Sequence, residues 1–225
     1  MKTSPIEAKI CGLNDVASID AAVANGASYV GLMFYPPSPR AVTPEQAREL
    51  SSHIPAAVKK VGVFVDPDDE LLQSVLAQVP LDLIQLHGSE SPDRVGAIKT
   101  LTGLPVLKAI KVANASDLDG AGVYDGVADM LLFDAKAPKD LADALPGGNG
   151  LVFDWNLLSH RQWQQPWMLS GGLDAGNVVQ AVGIAGACAV DVSSGVEHAP
   201  GVKDPAAIKA FLDAVGALWH SINPS

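Results

Sequence analysis

The stretch AKICGLNDVASIDAAVANG, residues 8–26, joins a short apolar run to a segment with helical spacing. Its first part, AKICG, is mostly apolar without alternation, which is typical of a strand buried on both faces. In its second part apolar residues recur at Val16, Ile19 and Val23, and Gly26 ends the pattern. The stretch therefore predicts one strand followed by one helix.

The same order recurs along the chain. Segments with helical spacing lie between the apolar runs; the clearest has Thr43 as N-cap and Pro44 at its first position, and Asp174 and Asp204 are suited to cap two later helices. Strand followed by helix, repeated eight times, predicts a (β/α)8 TIM barrel. The predicted strands are AKICG (8–12), YVGLMF (29–34), KKVGVFV (59–65), LDLIQLHG (81–88), VLKAIKV (106–112), DMLLFDA (129–135), WMLSGGL (167–173) and ACAVDVSSG (187–195).

A doubly wound open sheet is the alternative arrangement of such units. The barrel is favoured because eight units make one complete closure, and because no GxGxxG motif follows the first strand as a dinucleotide-binding fold would require. No low-complexity linker divides the chain. We therefore expect a single barrel domain over residues 1–225.

Composition excludes several classes of protein. Charged residues make up 18% of the chain and the net charge is −10, so no basic face is available for a nucleic-acid backbone. The two cysteines, Cys11 and Cys188, lack the spacing of a zinc site, and we expect both to be reduced thiols. Because the N-terminus lacks the apolar region of a signal peptide and no apolar run could span a bilayer, we expect a soluble, cytoplasmic protein.

In a TIM barrel, function belongs to the C-terminal ends of the strands and to the loops after them. Cys11 ends the first strand, where a thiol is either core packing or a catalyst, and its position favours catalysis. Cys188 starts the last strand, at the opposite face, and is expected to pack in the core. Asp134 ends strand six, where it either pairs with Lys136 or, partly desolvated, serves as a general acid.

Two connections break the regular spacing. Residues 136–155 lengthen the loop after strand six, which makes this segment a candidate lid. The proline-rich stretch FYPPSPRAVT presents Arg40, which is suited either to a surface carboxylate or to bidentate capture of a substrate carboxylate.

Strands three and four also end in polar residues. Asp66 is expected to be a turn residue, whereas Gln85 and His87 either complete hydrogen bonds at the rim or touch ligand.

The last two strands end in loops rich in small residues, LSGGLD and DVSSGVE. These are the loops that commonly bind phosphate in TIM barrels, because small residues let backbone N–H groups approach an anion. Gly171 and Gly172 alone could simply form a tight turn. Together with Ser193 and Ser194 they predict a small phosphorylated metabolite as the ligand.

Eight short motifs run through nearly the whole chain in this order: KICGLND, GLMFYPPSPR, VGVFVD, LIQLHGSE, FDAK, FDW, LSGGLDAGNV and VDVSSGVEHAPGVKDP. Taken together, these motifs resemble the phosphoribosylanthranilate isomerase family of tryptophan biosynthesis. The resemblance implies a (β/α)8 barrel that converts N-(5′-phosphoribosyl)anthranilate to 1-(2-carboxyphenylamino)-1-deoxyribulose 5-phosphate by an Amadori rearrangement.

The resemblance also implies roles for individual residues. Cys11 is the implied general base and Asp134 the implied general acid, while Arg40 would hold the anthranilate carboxylate and Asp191 the sugar hydroxyls. No metal, organic cofactor or obligate protein partner is expected, and the only expected partner is the small phosphorylated aromatic sugar that is the substrate. The implied phosphate cradle consists of Gly172, Ser193 and Ser194. From their positions alone, Gly171 is expected to join this cradle, and Gln85 and His87 are expected as further substrate contacts.

The sequence departs from the family pattern at Asn14, Asp15, Pro37 and Asn149, none of which is an expected catalytic residue. Three alternatives remain: a phosphosugar epimerase, the histidine-pathway Amadori isomerase, and a non-catalytic phosphosugar-binding module. An epimerase would need paired acid and base groups, often with a metal. The histidine-pathway enzyme is expected to carry an aspartate where Cys11 stands. Only turnover distinguishes an enzyme from the binding module.

Overall fold

The computed structural model describes residues 6–138, 145–159 and 161–222. Eight parallel strands pair in chain order and close into a barrel, which confirms the predicted fold. Closure is between the first and last strands, where Lys9 pairs with Asp191 in register. The strands are β1 (Glu7–Cys11), β2 (Tyr29–Met33), β3 (Lys59–Phe64), β4 (Leu83–Leu86), β5 (Val106–Val112), β6 (Met130–Ala135), β7 (Trp167–Leu169) and β8 (Ala189–Val192).

Helices surround the barrel, and Thr43 and Asp204 each lie directly before a helix, as the sequence indicates. Thr43 and Gln46 form a reciprocal capping box with Pro44 in the first turn. Asp174 instead accepts hydrogen bonds from Gly176 and Asn177, so it closes the turn before its helix rather than capping the helix itself. The helices are α1 (Val16–Ala24), α2 (Pro44–Ser51), α3 (Asp69–Leu76), α4 (Pro92–Thr102), α5 (Ala115–Asp119), α6 (Val178–Ala185) and α7 (Pro205–Ile222).

Two connections differ from a plain repeat of strand and helix. Among the described residues between β6 and β7, the helical structure is a short 3-10 turn, Trp155–Leu157. After β8 the chain forms a further 3-10 turn, Ser194–Val196, and then a two-stranded hairpin before α7. Strand β9 (Glu197–Ala199) pairs antiparallel with β10 (Val202–Lys203) in this hairpin.

Two apolar layers hold the barrel together. The barrel interior contains residues such as Val61, Leu107 and Met168, while a larger cluster fills the space between the strands and the helices. The expectation that Cys188 packs in the core is wrong, because its side chain is exposed. Cys188 lies just before β8 between two buried alanines, and the alternation of the strand turns it to solvent.

None of the helices in the described part of the chain is both long and apolar enough to cross a membrane. Of the candidate lid, residues 139–144 lie outside the described residues.

Candidate active site

A pocket lies at the C-terminal ends of the strands. Every predicted site residue except Gln85 lines it, although the residues come from six different strands or their following loops. Gln85 is fully buried, and its side chain contacts His87. Asp66 stays outside the pocket lining; it has a left-handed φ of 45° and accepts a hydrogen bond from the Ser89 N–H, as a turn residue does.

Cys11 is the last residue of β1, and only 5% of it is exposed. Its backbone carbonyl accepts a hydrogen bond of 3.2 Å from the Ser193 hydroxyl, which ties the ends of β1 and β8 together. Burial raises the pKa of the Cys11 thiol, and the ammonium groups of Lys9 and Lys203 oppose that rise only in part. The free thiol is therefore largely protonated at neutral pH.

Asp134 is the next-to-last residue of β6 and faces the same pocket. Its Oδ2 atom lies 3.1 Å from His87 Nε2, and His87 Nδ1 lies 2.9 Å from Gln85 Nε2, so three strand-end side chains form a row. The alternative in which Asp134 pairs with Lys136 does not occur: Lys136 lies 2.6 Å from an Asp117 oxygen. The carboxyl group is thus held by a histidine and remains directed toward the pocket.

Arg40 is almost completely buried and binds Glu197, not a surface carboxylate. Its Nε and Nη2 donate to the two Glu197 oxygens at 2.7 and 2.9 Å, and Nη2 also donates to the Gly148 carbonyl at 3.1 Å. Lys203 donates to Glu197 as well, at 2.7 Å. Burial alone would raise the pKa of Glu197, but Arg40 and Lys203 outweigh it and hold that pKa below its usual value.

The described part of the loop after β6 lies over the pocket, since residues 145–151 contribute to its lining. A Cβ atom at Gly147 would lie only 2.5 Å from His87 Nε2 and 2.9 Å from Asp134 Oδ2. Only glycine therefore fits this position without a shift of the loop or the side chains. Asn149, one of the departures from the family pattern, closes the loop by hydrogen bonds of its side chain to both backbone groups of Leu145.

The predicted phosphate residues meet at one side of the pocket. Gly171 and Gly172 have φ values of +91° and +61°, which take the chain out of the extended conformation directly after β7. Ser193 and Ser194 come from the end of β8, and Lys203 donates to both the hydroxyl and the carbonyl of Ser193. The arrangement brings two small-residue loops together with a buried lysine behind one of them.

Three charged residues of this region were not predicted from the sequence: Lys9, Glu197 and Lys203. Lys9 is fully buried and lies 2.8 Å from Asp191, whose other oxygen accepts a hydrogen bond from Ser170. A lysine inside an otherwise apolar strand is a signal that could have identified it. Within residues 6–138, 145–159 and 161–222, the His, Cys, Asp and Glu side chains form no group of three suited to a metal ion.

The chain is similar to curated proteins of known name. Residues 8–214 match the family model described as N-(5′-phosphoribosyl)anthranilate (PRA) isomerase. An N-(5′-phosphoribosyl)anthranilate isomerase of Rhodospirillum centenum is 60% identical over 214 residues, which cover 95% of this chain and all of that protein. The protein of the same name from Paramagnetospirillum magneticum is 58% identical, covering 93% of this chain and 97% of that protein.

Solved structures give a similar result. The phosphoribosyl anthranilate isomerase of Thermotoga maritima superposes with a TM-score of 0.84 at 37% identity, covering 94% of this chain and 99% of that one. A phosphoribosyl anthranilate isomerase in complex with reduced 1-(o-carboxyphenylamino)-1-deoxyribulose 5-phosphate superposes with a TM-score of 0.79 at 34% identity, with the same coverage.

Proposed function

This chain belongs to the N-(5′-phosphoribosyl)anthranilate isomerase family of tryptophan biosynthesis, and we propose that it acts by an Amadori rearrangement with Asp134 as general acid and Cys11 as general base. The product is 1-(2-carboxyphenylamino)-1-deoxyribulose 5-phosphate. One observation carries this proposal: the thiol that ends β1 and the carboxyl group that ends β6 line the same pocket.

The first step is protonation of the ribose ring oxygen by Asp134. The C1′–oxygen bond breaks, the ring opens, and the anthranilate nitrogen shares its electron pair to form an iminium ion. His87 lies 3.1 Å from the acid and limits the directions in which it can point. Gln85 acts behind it, through its contact with His87, and does not touch the substrate directly.

The second step is removal of the proton on C2′ by Cys11. The iminium ion draws electrons from the neighbouring C2′–H bond, so the electron pair of that bond moves toward nitrogen and an enolamine forms. Its tautomer is the ketose product. A thiol whose pKa is raised by burial is a weak source of thiolate. The iminium cation of the substrate offsets this weakness, because it makes the C2′ proton acidic and favours the thiolate beside it.

The ends of the substrate would be held by the remaining pocket residues. Arg40 takes the anthranilate carboxylate with the edge of its guanidinium that Glu197 leaves available. Asp191 binds sugar hydroxyls, since each of its oxygens keeps a lone pair beyond its bonds to Lys9 and Ser170. The phosphate lies on the two loops that carry Gly171, Gly172, Ser193 and Ser194.

The test is a fluorescence assay of the loss of phosphoribosylanthranilate, generated in situ, with wild-type protein and two cysteine variants. Cys11→Ser is expected to retain its fold but to lose most turnover, because a serine hydroxyl ionises far less readily than a thiol and supplies almost no anionic base. Cys188→Ser, at the other end of the barrel, is the matched control and should turn over like wild type. A near wild-type kcat for Cys11→Ser would refute the proposal, and absence of turnover in wild type would favour a binding module.

A further inference from the structure

Lys9 is a buried lysine with no role in the steps derived above. It lies on β1 two residues before Cys11, so both side chains point into the barrel, and none of its surface is exposed. Among the described residues, Lys9 is one of the largest completely buried side chains, together with phenylalanines such as Phe64 and Phe133. Keeping an ammonium group in such a place is costly unless charged partners surround it.

Lys9 and Cys11 share a small space that β2 leaves open. Gly31 of β2 pairs with Cys11 in register, and a Cβ atom at Gly31 would lie 3.0 Å from the Cys11 sulfur and 3.2 Å from the Lys9 nitrogen. The ammonium and the thiol are therefore neighbours on the same side of one strand, and a side chain at position 31 would displace one of them.

The ammonium group is kept charged by Asp191 of β8. Their side chains are 2.8 Å apart, and both are buried. Burial by itself would lower the pKa of Lys9, but the Asp191 carboxylate and the neighbouring Cys11 sulfur together outweigh it and hold that pKa well above its ordinary value. Lys9 is consequently a fixed positive charge throughout the pH range in which a thiol titrates.

The other charged groups around Cys11 differ in sign and in the size of their effect on the thiol. Asp191 disfavours the thiolate, whereas Lys203 of β10 favours it, and Lys9 is the strongest of the favourable influences. Lys203 is also engaged by Glu197 and by Ser193. Farther around the pocket lie the pair of Asp134 with His87 and the pair of Arg40 with Glu197.

We propose that Lys9 is a positioning residue for the base: its buried ammonium group, held by Asp191, favours the thiolate of Cys11. The inference rests on the proposed role of Cys11. Its catalytic consequence is that Lys9 sets the pH at which the free enzyme becomes competent for removal of the C2′ proton.

The test measures the thiol directly, without substrate. In a Cys188→Ser background, which leaves Cys11 as the one thiol, the rate of alkylation by iodoacetamide is followed from pH 6 to pH 10. Lys9→Met should move this profile to higher pH and slow alkylation at pH 7.5 by about tenfold or more, since each unit of thiol pKa changes the thiolate fraction tenfold. The acid limb of the kcat/KM profile should move in the same direction, with activity recovering as pH rises.

Two further variants separate this effect from damage to the core. Lys108→Met removes another buried lysine paired with a carboxylate, Glu90, and should leave the alkylation profile unchanged. The double variant Lys9→Met/Asp191→Asn removes both charges of the pair, so no unpaired charge is buried. It is therefore expected to fold even where Lys9→Met alone does not. Its profile should lie between those of the background and of Lys9→Met, because Lys9 affects the thiol more than Asp191 does.

An alkylation profile of Lys9→Met, or of the double variant, that coincides with the background overturns the inference, and so does an activity loss that is equal at every pH. Failure of the proposed function is distinguishable: it would appear as retained turnover in Cys11→Ser, whereas the alkylation experiment reports the thiol whether or not it is the base.

Discussion

Replacement of Arg40 by alanine is expected to weaken binding of ligands with an aromatic carboxylate far more than binding of ligands without one. Glu197 holds Nε and one side of Nη2 at 2.7 and 2.9 Å. A ligand carboxylate can therefore approach only the edge formed by Nη1 and Nη2, where it competes with the Gly148 carbonyl, 3.1 Å from Nη2. Binding of the carboxylate and displacement of this part of the loop are coupled.

The size of the effect follows from this geometry. Hydrogen bonds between charged partners contribute roughly 1.5–3 kcal/mol. Loss of the guanidinium should thus raise Kd by about ten- to hundredfold. The truncated site keeps its fold, because Glu197 retains its 2.7 Å contact with Lys203 and is not left as an unpaired buried charge.

The assay is calorimetric titration with the reduced product and with an analogue that lacks the carboxylate. Wild type and Arg40→Ala should bind the second ligand almost equally. Arg94→Ala is the matched control, because it removes a more exposed arginine, paired with Asp69, outside the pocket. If Arg40→Ala weakens both ligands by the same factor, the arginine only supports the loops, and other residues recognise the anthranilate end.

Three further outcomes are expected. Asp134→Asn should lower kcat by far more than it raises KM in the fluorescence assay, since the amide keeps the shape but cannot deliver the proton; a rise in KM alone would make Asp134 a binding residue. Gly147→Ala should lower kcat/KM at least several-fold with little loss of thermal stability, because its methyl group would lie 2.5 Å from His87 Nε2. Unchanged kinetics would show that the loop is displaced during turnover. The pKa of Glu90, which burial would raise, is held low by Lys108 and by backbone hydrogen bonds, so the ionised Glu90 carboxylate stabilises the fold above the unfolded pKa of about 4.3, and this contribution is lost as pH falls through the folded pKa. At Lys108 burial outweighs Glu90 and lowers the pKa of the lysine, so the stabilisation is assigned to the carboxylate and not to the pair. Glu90→Gln should therefore reduce the free energy of unfolding in urea at pH 7 and flatten its decline on acidification, and an unchanged slope would contradict the assignment.

The fold could be predicted because strands buried on both faces leave long apolar runs in the sequence. The ends of those runs are less informative. Strand seven was predicted over residues 167–173 but is Trp167–Leu169, because Gly171 and Gly172 adopt left-handed φ values that no strand contains. Strand four was predicted over 81–88 but is Leu83–Leu86; beyond it, the Gly88 N–H bonds to the Glu90 side chain and not to a neighbouring strand.

The lining of the candidate site was predictable to the extent that it depends on position alone. A residue at the C-terminal end of a barrel strand reaches the pocket, as Cys11 and Asp134 do. The depth of a side chain below the pocket was not predictable. Gln85 and His87 point to the same side of β4, but Gln85 lies one layer further into the barrel and is fully buried. Exposure of Cys188 was missed because a small residue between two alanines carries no sign of which side faces solvent.

The ion pairs at the pocket could not be predicted from the sequence, because each joins residues that are far apart in the chain. Lys9 meets Asp191 across 182 positions, and Arg40 meets Glu197 across 157. Pairing of this kind matters for a chain whose net charge is −10 and whose substrate carries both a phosphate and a carboxylate. The field of the whole protein repels such a substrate, so attraction must come from groups within the pocket. A buried cation that is already neutralised offers little attraction at long range. It acts through the atoms that its partner leaves available, as the outer edge of Arg40 does, and the specificity of the site is therefore local.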